Sequence, residues 1–403
     1  MIVTMERYQT ELSRIFTKQA RITFQVKVER AWLEALTKRP VTIKSLVTAG
    51  RVSEIESKTK HDVMAMTLAM RELIDDPEQK RLVHTGLTSQ DINDTVLAIQ
   101  LHMANAVILR DIQELTKTLR GLVEIHKETT CLARTHGQPA LPITYGYKFA
   151  NYLQDFSVLS DEYAGTLRLI KGKLHGAVGT QASMKLMNRE GLGEEVLGKL
   201  GLTCWPVSTQ VVSRHFLVSH LFSLIQITNA IGRFAKELRD LSRIEIGEVG
   251  ESFESGQVGS STMPHKRNPV SCETICGLVR VVQSQLAPLM TTASCLEHER
   301  DLANSSVERI AVETIIVLSH YIVQRFHGVL KGLAVDGARA KENLSVYYND
   351  SERRMIQAVL DGRDRSEVHG EIKKASQSEV GSKPEEYLGT CLEAINQCLA
   401  EYH

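Results

Sequence analysis

The chain has 403 residues, with Lys plus Arg equal to Asp plus Glu at 48 each, 42% apolar residues and 24% charged ones. That length allows two or three domains with an ample core, and the charge balance argues against a nucleic-acid binder, which would normally be basic. No uninterrupted apolar stretch approaches a membrane span. The start, Met1 to Tyr8, is charged too early for a signal peptide, and seven cysteines without a CxxC suit a reduced compartment. A cytoplasmic location is the expectation.

In chain order, the first chemically rich segment is Lys60-His61-Asp62, at a helix start. His84-Thr85-Gly86-Leu87-Thr88-Ser89-Gln90-Asp91 reads as a turn and helix cap, closing an N-terminal helical domain at about residue 88. Taken alone, His61 and His84 read as capping or surface histidines. From Ile92 through Val96, Ile99, Met103, Leu109 and Leu115 to Leu122, apolar residues recur at helical spacing. Arg134-Thr135-His136, before Gly137 and Pro139, reads by itself as a helix terminator. Helical spacing resumes from Phe149 through Leu153, Phe156 and Tyr163 to Ile170. Prolines are absent between 142 and 206, 206 and 264, and 288 and 384, leaving room for helices well beyond three turns.

The densest chemistry lies in Gly259-Ser260-Ser261-Thr262-Met263-Pro264-His265-Lys266-Arg267-Asn268-Pro269. Two prolines and a glycine keep this run out of a regular helix, and it offers hydroxyls, an ammonium, a guanidinium and an amide to one small anion. Cys272 and Cys276, one helical turn later, read as paired core thiols rather than metal ligands, because no further ligands stand nearby in sequence. Glu299-Arg300-Asp301 through Ser305 to Glu308-Arg309 is, alone, a charged helix face. No alternating strand pattern persists. The expectation is an all-α protein: an N-terminal domain over 1–88, a central long-helix bundle over 89–338, and a short, charge-rich C-terminal domain over 339–403. Long helices that are apolar around much of their circumference also predict self-association.

The 259–269 run resembles the signature loop of the fumarase/aspartase superfamily, whose members cleave a C–N or C–O bond by β-elimination and release fumarate. The ordered segments above, with Thr209-Gln210-Val211-Val212-Ser213-Arg214 and His175-Gly176-Ala177-Val178-Gly179-Thr180, resemble the adenylosuccinate lyase branch over roughly three quarters of the chain. The chain departs from the family pattern at Lys60, Gln90 and 181–183. The resemblance implies the three-domain superfamily fold, a homotetramer with shared sites, a nucleotide substrate, and no metal or organic cofactor. It implies Ser260 as base, His136 as general acid, Glu273 as the carboxylate orienting His136, and further catalytic parts for His61, His84 and Lys266. Lys266 and Asn268 would hold a succinyl carboxylate, with Met263 in the same loop. Thr88, Ser89, Thr135 and His84 would bind carboxylates or nearby phosphate. Arg7, Tyr8, His61, Asp62, Gln210, Arg214, Arg300, Ser305 and Arg309 would line the nucleotide end, the arginines gripping phosphate, and Lys60, Gln90 and Asp91 would also bind substrate. The alternatives are a superfamily lyase or cycloisomerase for a smaller carboxylate (of 3-carboxymuconate or argininosuccinate type), to which Gln90 points, and a non-catalytic assembly like the related lens crystallins.

Overall fold

The computed structural model describes residues 3–252, 267–374 and 382–402. Two 3-10 turns, Val3–Tyr8 and Glu11–Phe16, precede α1 (Lys18–Thr37), α2 (Ala49–Thr59), α3 (Asp62–Glu72) and α4 (Pro77–Leu82). The 37-residue α5 (Ser89–Ile125) leads to an antiparallel hairpin of β1 (Thr130–Thr135) and β2 (Gln138–Thr144), and then to α6 (Tyr145–Thr166). Short α7 (Ala182–Leu186) and α8 (Leu192–Lys199) follow, then α9 (Arg214–Leu241), β3 (Val249–Gly250), α10 (Val270–Ser284), α11 (Leu286–Ser294) and α12 (Ala303–Lys331). Strand β4 (Ala334–Val335), which pairs antiparallel with β3, opens the last stretch of α13 (Gly337–Tyr347), α14 (Ser351–Leu360), α15 (Arg365–Lys374) and α16 (Cys391–Glu401).

The expected helical class holds, and α5, α6, α9 and α12 supply the long helices that the proline gaps predict. The helix starts follow side-chain chemistry. Thr17, Thr48, Asp76 and Asp336 each accept a backbone N–H in the first turn of α1, α2, α4 and α13, meeting donors that the helix itself leaves unpaired. Helix α5 is, by length and composition, apolar enough to cross a membrane, which the sequence did not suggest. Of its most apolar window 61% is buried inside the protein, the situation of a bundle's core helix.

The chain divides into two compact units. One comprises Met1–Arg110, Asp161–Gln226 and Leu278–Ile322, and the other Asp111–Ser160, Ile227–Gly277 and Val323–His403. The divisions fall within α5, α6, α9, α10 and α12 rather than between them. In the first unit α1 packs on α3 and α8, and the fully buried Trp32 donates its indole N–H to the Thr85 carbonyl at 3.0 Å. In the second, Phe149, Phe234, Phe326 and Phe156 form a buried aromatic cluster, with the Tyr152 ring stacked on Phe234 at 3.8 Å. Each such burial contributes about 1.5–3 kcal/mol.

Candidate active site

In the first unit a cleft of about 490 Å³ gathers Lys60, His61, Asp62, Ser89, Arg300, Ser305 and Arg309. These residues come from three separated stretches of sequence, and all were expected at the site. Local structure explains how each is held. Lys60 takes a left-handed conformation (φ 57°) as the C-cap of α2, which turns the chain sharply into His61. His61 caps α3: its Nδ1 accepts the Met64 N–H at 3.2 Å, so the ring proton sits on Nε2, 3.3 Å from Ser89 Oγ. Asp62 pairs with Arg309 at 2.6 Å. Arg300 Nη1 donates to Gln210 Oε1 at 2.9 Å, and Gln210 Nε2 donates to the Ala177 carbonyl. Burial pulls the Arg300 guanidinium below its ordinary range, and the charges of Asp94, Asp62 and Glu308 offset this only in part.

Beneath this cleft lies a layer of fixed charge. Asp91 is fully buried, paired with buried Lys173 at 2.7 Å, and accepts the backbone N–H groups of Thr88, His175 and Gly176. Asp91 is therefore the knot joining the 84–91 turn to the 173–176 segment, not a substrate ligand as expected. Gln90 is likewise buried, donating to Asp94 and accepting from Asn93. Arg214 also departs from expectation. Its guanidinium is clamped by Asp94 (2.8 Å) and Glu308 (2.7 Å), with its side chain 4% exposed, so both faces of the fork are committed inside the protein. Burial lowers the Arg214 pKa, but the two carboxylates outweigh it and hold the charge firmly. Thr88 Oγ1 is buried with no partner among the described residues, an arrangement suited to a hydroxyl that meets a ligand.

His84, also left-handed (φ 64°), binds the fully buried carboxylate of Glu29 through Nδ1. Burial would lower its pKa, yet Glu29 and Asp91 raise it above the ordinary imidazole value. Tyr8 lies edge-on to Tyr321, 5.2 Å between centroids, and neither Tyr8 nor Arg7 lines the described cleft.

The second unit holds the expected acid. His136 and Gly137 both have positive φ (56° and 76°) between the paired residues Thr135 and Gln138, the two-residue turn that suits a twisted hairpin. The turn leaves Thr135 and the His136 imidazole exposed at the tip. Its base is anchored by Glu248, fully buried, which accepts from Arg134 (2.8 Å), the Tyr145 hydroxyl (2.6 Å) and Asn343 (2.8 Å). Burial and the Glu248 charge push the Tyr145 phenol up, so it stays a donor.

Glu273 stands in the first turn of α10, whose start is capped by Glu251 accepting from Ser271 and Cys272. Its carboxylate lies 3.8 Å from Arg239, and among the described residues no bond joins it to His136. Asn268 is placed just before α10, whereas Ser260, Met263 and Lys266 lie outside the described residues. Cys272 is a buried thiol pushed up by burial, as the core-thiol reading expects.

Sequence reasoning missed Glu29, Lys173, Glu248 and Asn343 as the groups that hold the site. No sequence signal marks them, since a charge destined for burial is written with the same letter as a solvated one.

A protein-family model described as "Lyase" matches residues 5–284. Adenylosuccinate lyase of Archaeoglobus fulgidus is 35% identical, covering 97% of this chain and 96% of that protein. The enzyme of the same name from Bacillus subtilis is 34% identical, over 92% and 87% of the two chains. Among solved structures, 3-carboxy-cis,cis-muconate lactonizing enzyme from Pseudomonas putida superposes with a TM-score of 0.86 at 24% identity, covering 98% of this chain and 97% of that one. A fumarate lyase from a Mesorhizobium species superposes with a TM-score of 0.83 at 22% identity over 98% of both chains. Those two likenesses speak to the fold, and the near full-length relatives to the branch: the chain belongs to the lyase family, among the adenylosuccinate lyases.

Proposed function

We propose that the chain releases fumarate from adenylosuccinate, giving AMP, and from the related carboxamide ribotide SAICAR, giving AICAR, as a cytoplasmic enzyme of purine biosynthesis. The observation that carries the nucleotide specificity is the cleft with Arg300, Arg309, Ser305, Ser89 and His61 on its walls. Two arginines on the walls of one cleft suit a substrate that carries phosphate.

In this reading Ser260 removes the proton beside the succinyl carboxylate, its alkoxide favoured by Lys266 and backbone N–H groups in a closed site. Lys266 and Asn268 hold the carboxylate as negative charge builds. The C–N bond then breaks, its electron pair passing to the departing nitrogen, which takes a proton from His136. Proton and electron pair are both accounted for by these groups, so the chemistry requires no cofactor.

Within the second unit Glu273 turns to Arg239 rather than to His136. That favours a homotetramer whose sites draw on several chains, with Glu273 orienting the His136 of another subunit. The smaller-carboxylate alternative leaned on Gln90, which is buried and bonded to Asp94 and so is not free to read a substrate.

The test is an ultraviolet assay on purified protein with adenylosuccinate, with fumarate measured separately. Stoichiometric fumarate from the parent, and none from a Ser260→Ala variant that keeps its oligomeric state, is the expected result. A flat trace from the folded parent would overturn the substrate. Retained turnover in Ser260→Ala would overturn the base alone.

A further inference from the structure

Away from the groups assigned to elimination, three segments of the first unit bring one imidazole, one thiol and one carboxylate to a point. His175 is buried on the chain leading into the 176–180 turn, Glu194 sits in the first turn of α8, and Cys204 lies just beyond α8. The backbone builds this convergence. Cys204 pairs with Gly172 as an isolated parallel bridge, and Gly193 packs so closely that a Cβ there would meet the Leu174 carbonyl at 2.6 Å.

On one side of the ring, His175 Nδ1 lies 2.8 Å from Ser208 Oγ, which is itself 3.1 Å from the Thr209 carbonyl. On the other, Nε2 faces Cys204 Sγ at 3.1 Å and Glu194 Oε1 at 3.9 Å. All three atoms lie within 4.8 Å of one another. Tetrahedral zinc with bonds of about 2.0–2.3 Å places its ligand atoms roughly 3.3–3.7 Å apart, which these separations bracket. A ligating histidine held through its other nitrogen is also the usual supporting arrangement.

We propose that His175, Glu194 and Cys204 form a binding site for a zinc-type divalent ion, with the fourth position open to water. The ion replaces the thiol proton: the S–H bond breaks, sulfur binds the metal, and one proton leaves to solvent. Because Ser208 and Gln210 share one short stretch, the ion would stiffen the loop that presents Gln210 to Arg300.

The experiment is titration of the full chain with Zn²⁺ against a chromophoric chelator, repeated with Co²⁺ to look for a thiolate-to-metal absorption band. One equivalent per chain is expected, with at least tenfold weaker binding and no cobalt band in Cys204→Ser. Glu194→Gln, on a half-exposed side chain that can change without disturbing the core, should also weaken binding. Cys295→Ser, which removes an exposed thiol elsewhere, should change nothing. Absence of stoichiometric binding would overturn the proposal, as would binding unaltered by Cys204→Ser and Glu194→Gln.

Discussion

Replacing Arg214 with Met separates a structural arginine from a ligand arginine. The substitution keeps length and apolar volume but removes the charge between Asp94 and Glu308. Asp94 would retain the Val212 N–H (2.8 Å) and Gln90 (3.3 Å), while Glu308 would retain, among the described residues, Asn304 at 3.1 Å. Removing one partner of a buried pair costs about 3–5 kcal/mol. Burial already raises the Glu308 carboxyl against the lowering influence of Arg214, so without Arg214 it takes up a proton instead of staying charged. That response holds the loss to about 3 kcal/mol, the lower end of the range. A carboxyl whose folded pKa is raised binds its proton more tightly when folded. The deficit of Arg214→Met should therefore be larger at pH 8 than at pH 5. Urea denaturation followed by circular dichroism at fixed protein concentration reads the stability, and steady-state kinetics on adenylosuccinate read the site. An unfolding midpoint equal to the parent's, together with a raised KM, would refute the structural role and return Arg214 to the phosphate.

Arg309→Met and Arg300→Met should behave in the opposite way. Loss of a charged hydrogen bond to substrate, roughly 1.5–3 kcal/mol, raises KM about 10- to 100-fold with little change in kcat. The half-exposed Arg309–Asp62 pair contributes at most about 1 kcal/mol, so the midpoint should barely move. For the His84–Glu29 pair the folded imidazole pKa is raised, so its stabilisation is complete below the unfolded value of about 6.5 and is lost as pH rises through the folded one. Urea midpoints should accordingly fall more steeply as pH rises above about 6.5 in the parent than in His84→Gln, and equal slopes would remove the pair from the account. Tyr145→Phe removes one donor from buried Glu248 and should cost about 1.5–3 kcal/mol by the same urea assay. An unchanged midpoint would show that Arg134 and Asn343 satisfy Glu248 without it.

Much was legible before any coordinates. The long helices were visible because helical periodicity and proline placement are written locally, and the 259–269 run named the reaction class because its chemistry is contiguous. The hairpin carrying His136 was not visible. Its strands are six and seven residues long, include Pro139 and Pro142, and lack an alternating pattern, so the Arg134–Pro139 stretch looked like a helix end. His61, Ser89, Arg300, Ser305 and Arg309 were recognised as a set, and the fold does collect them in one cleft. Gln90, Asp91 and Arg214 were grouped with them and belong to the layer beneath.

What the sequence determined by itself was the inventory: an all-helical class, an elimination loop, and arginines and histidines enough to hold a phosphorylated dicarboxylate. What only the tertiary structure decided was the assignment of those charges. Arg214 faces Asp94 from 120 residues away, and Lys173 faces Asp91 from a different segment. A charge taken out of water must find its counter-charge within a few ångströms. That partner comes from packing, so a side chain's type is written locally while its role is not.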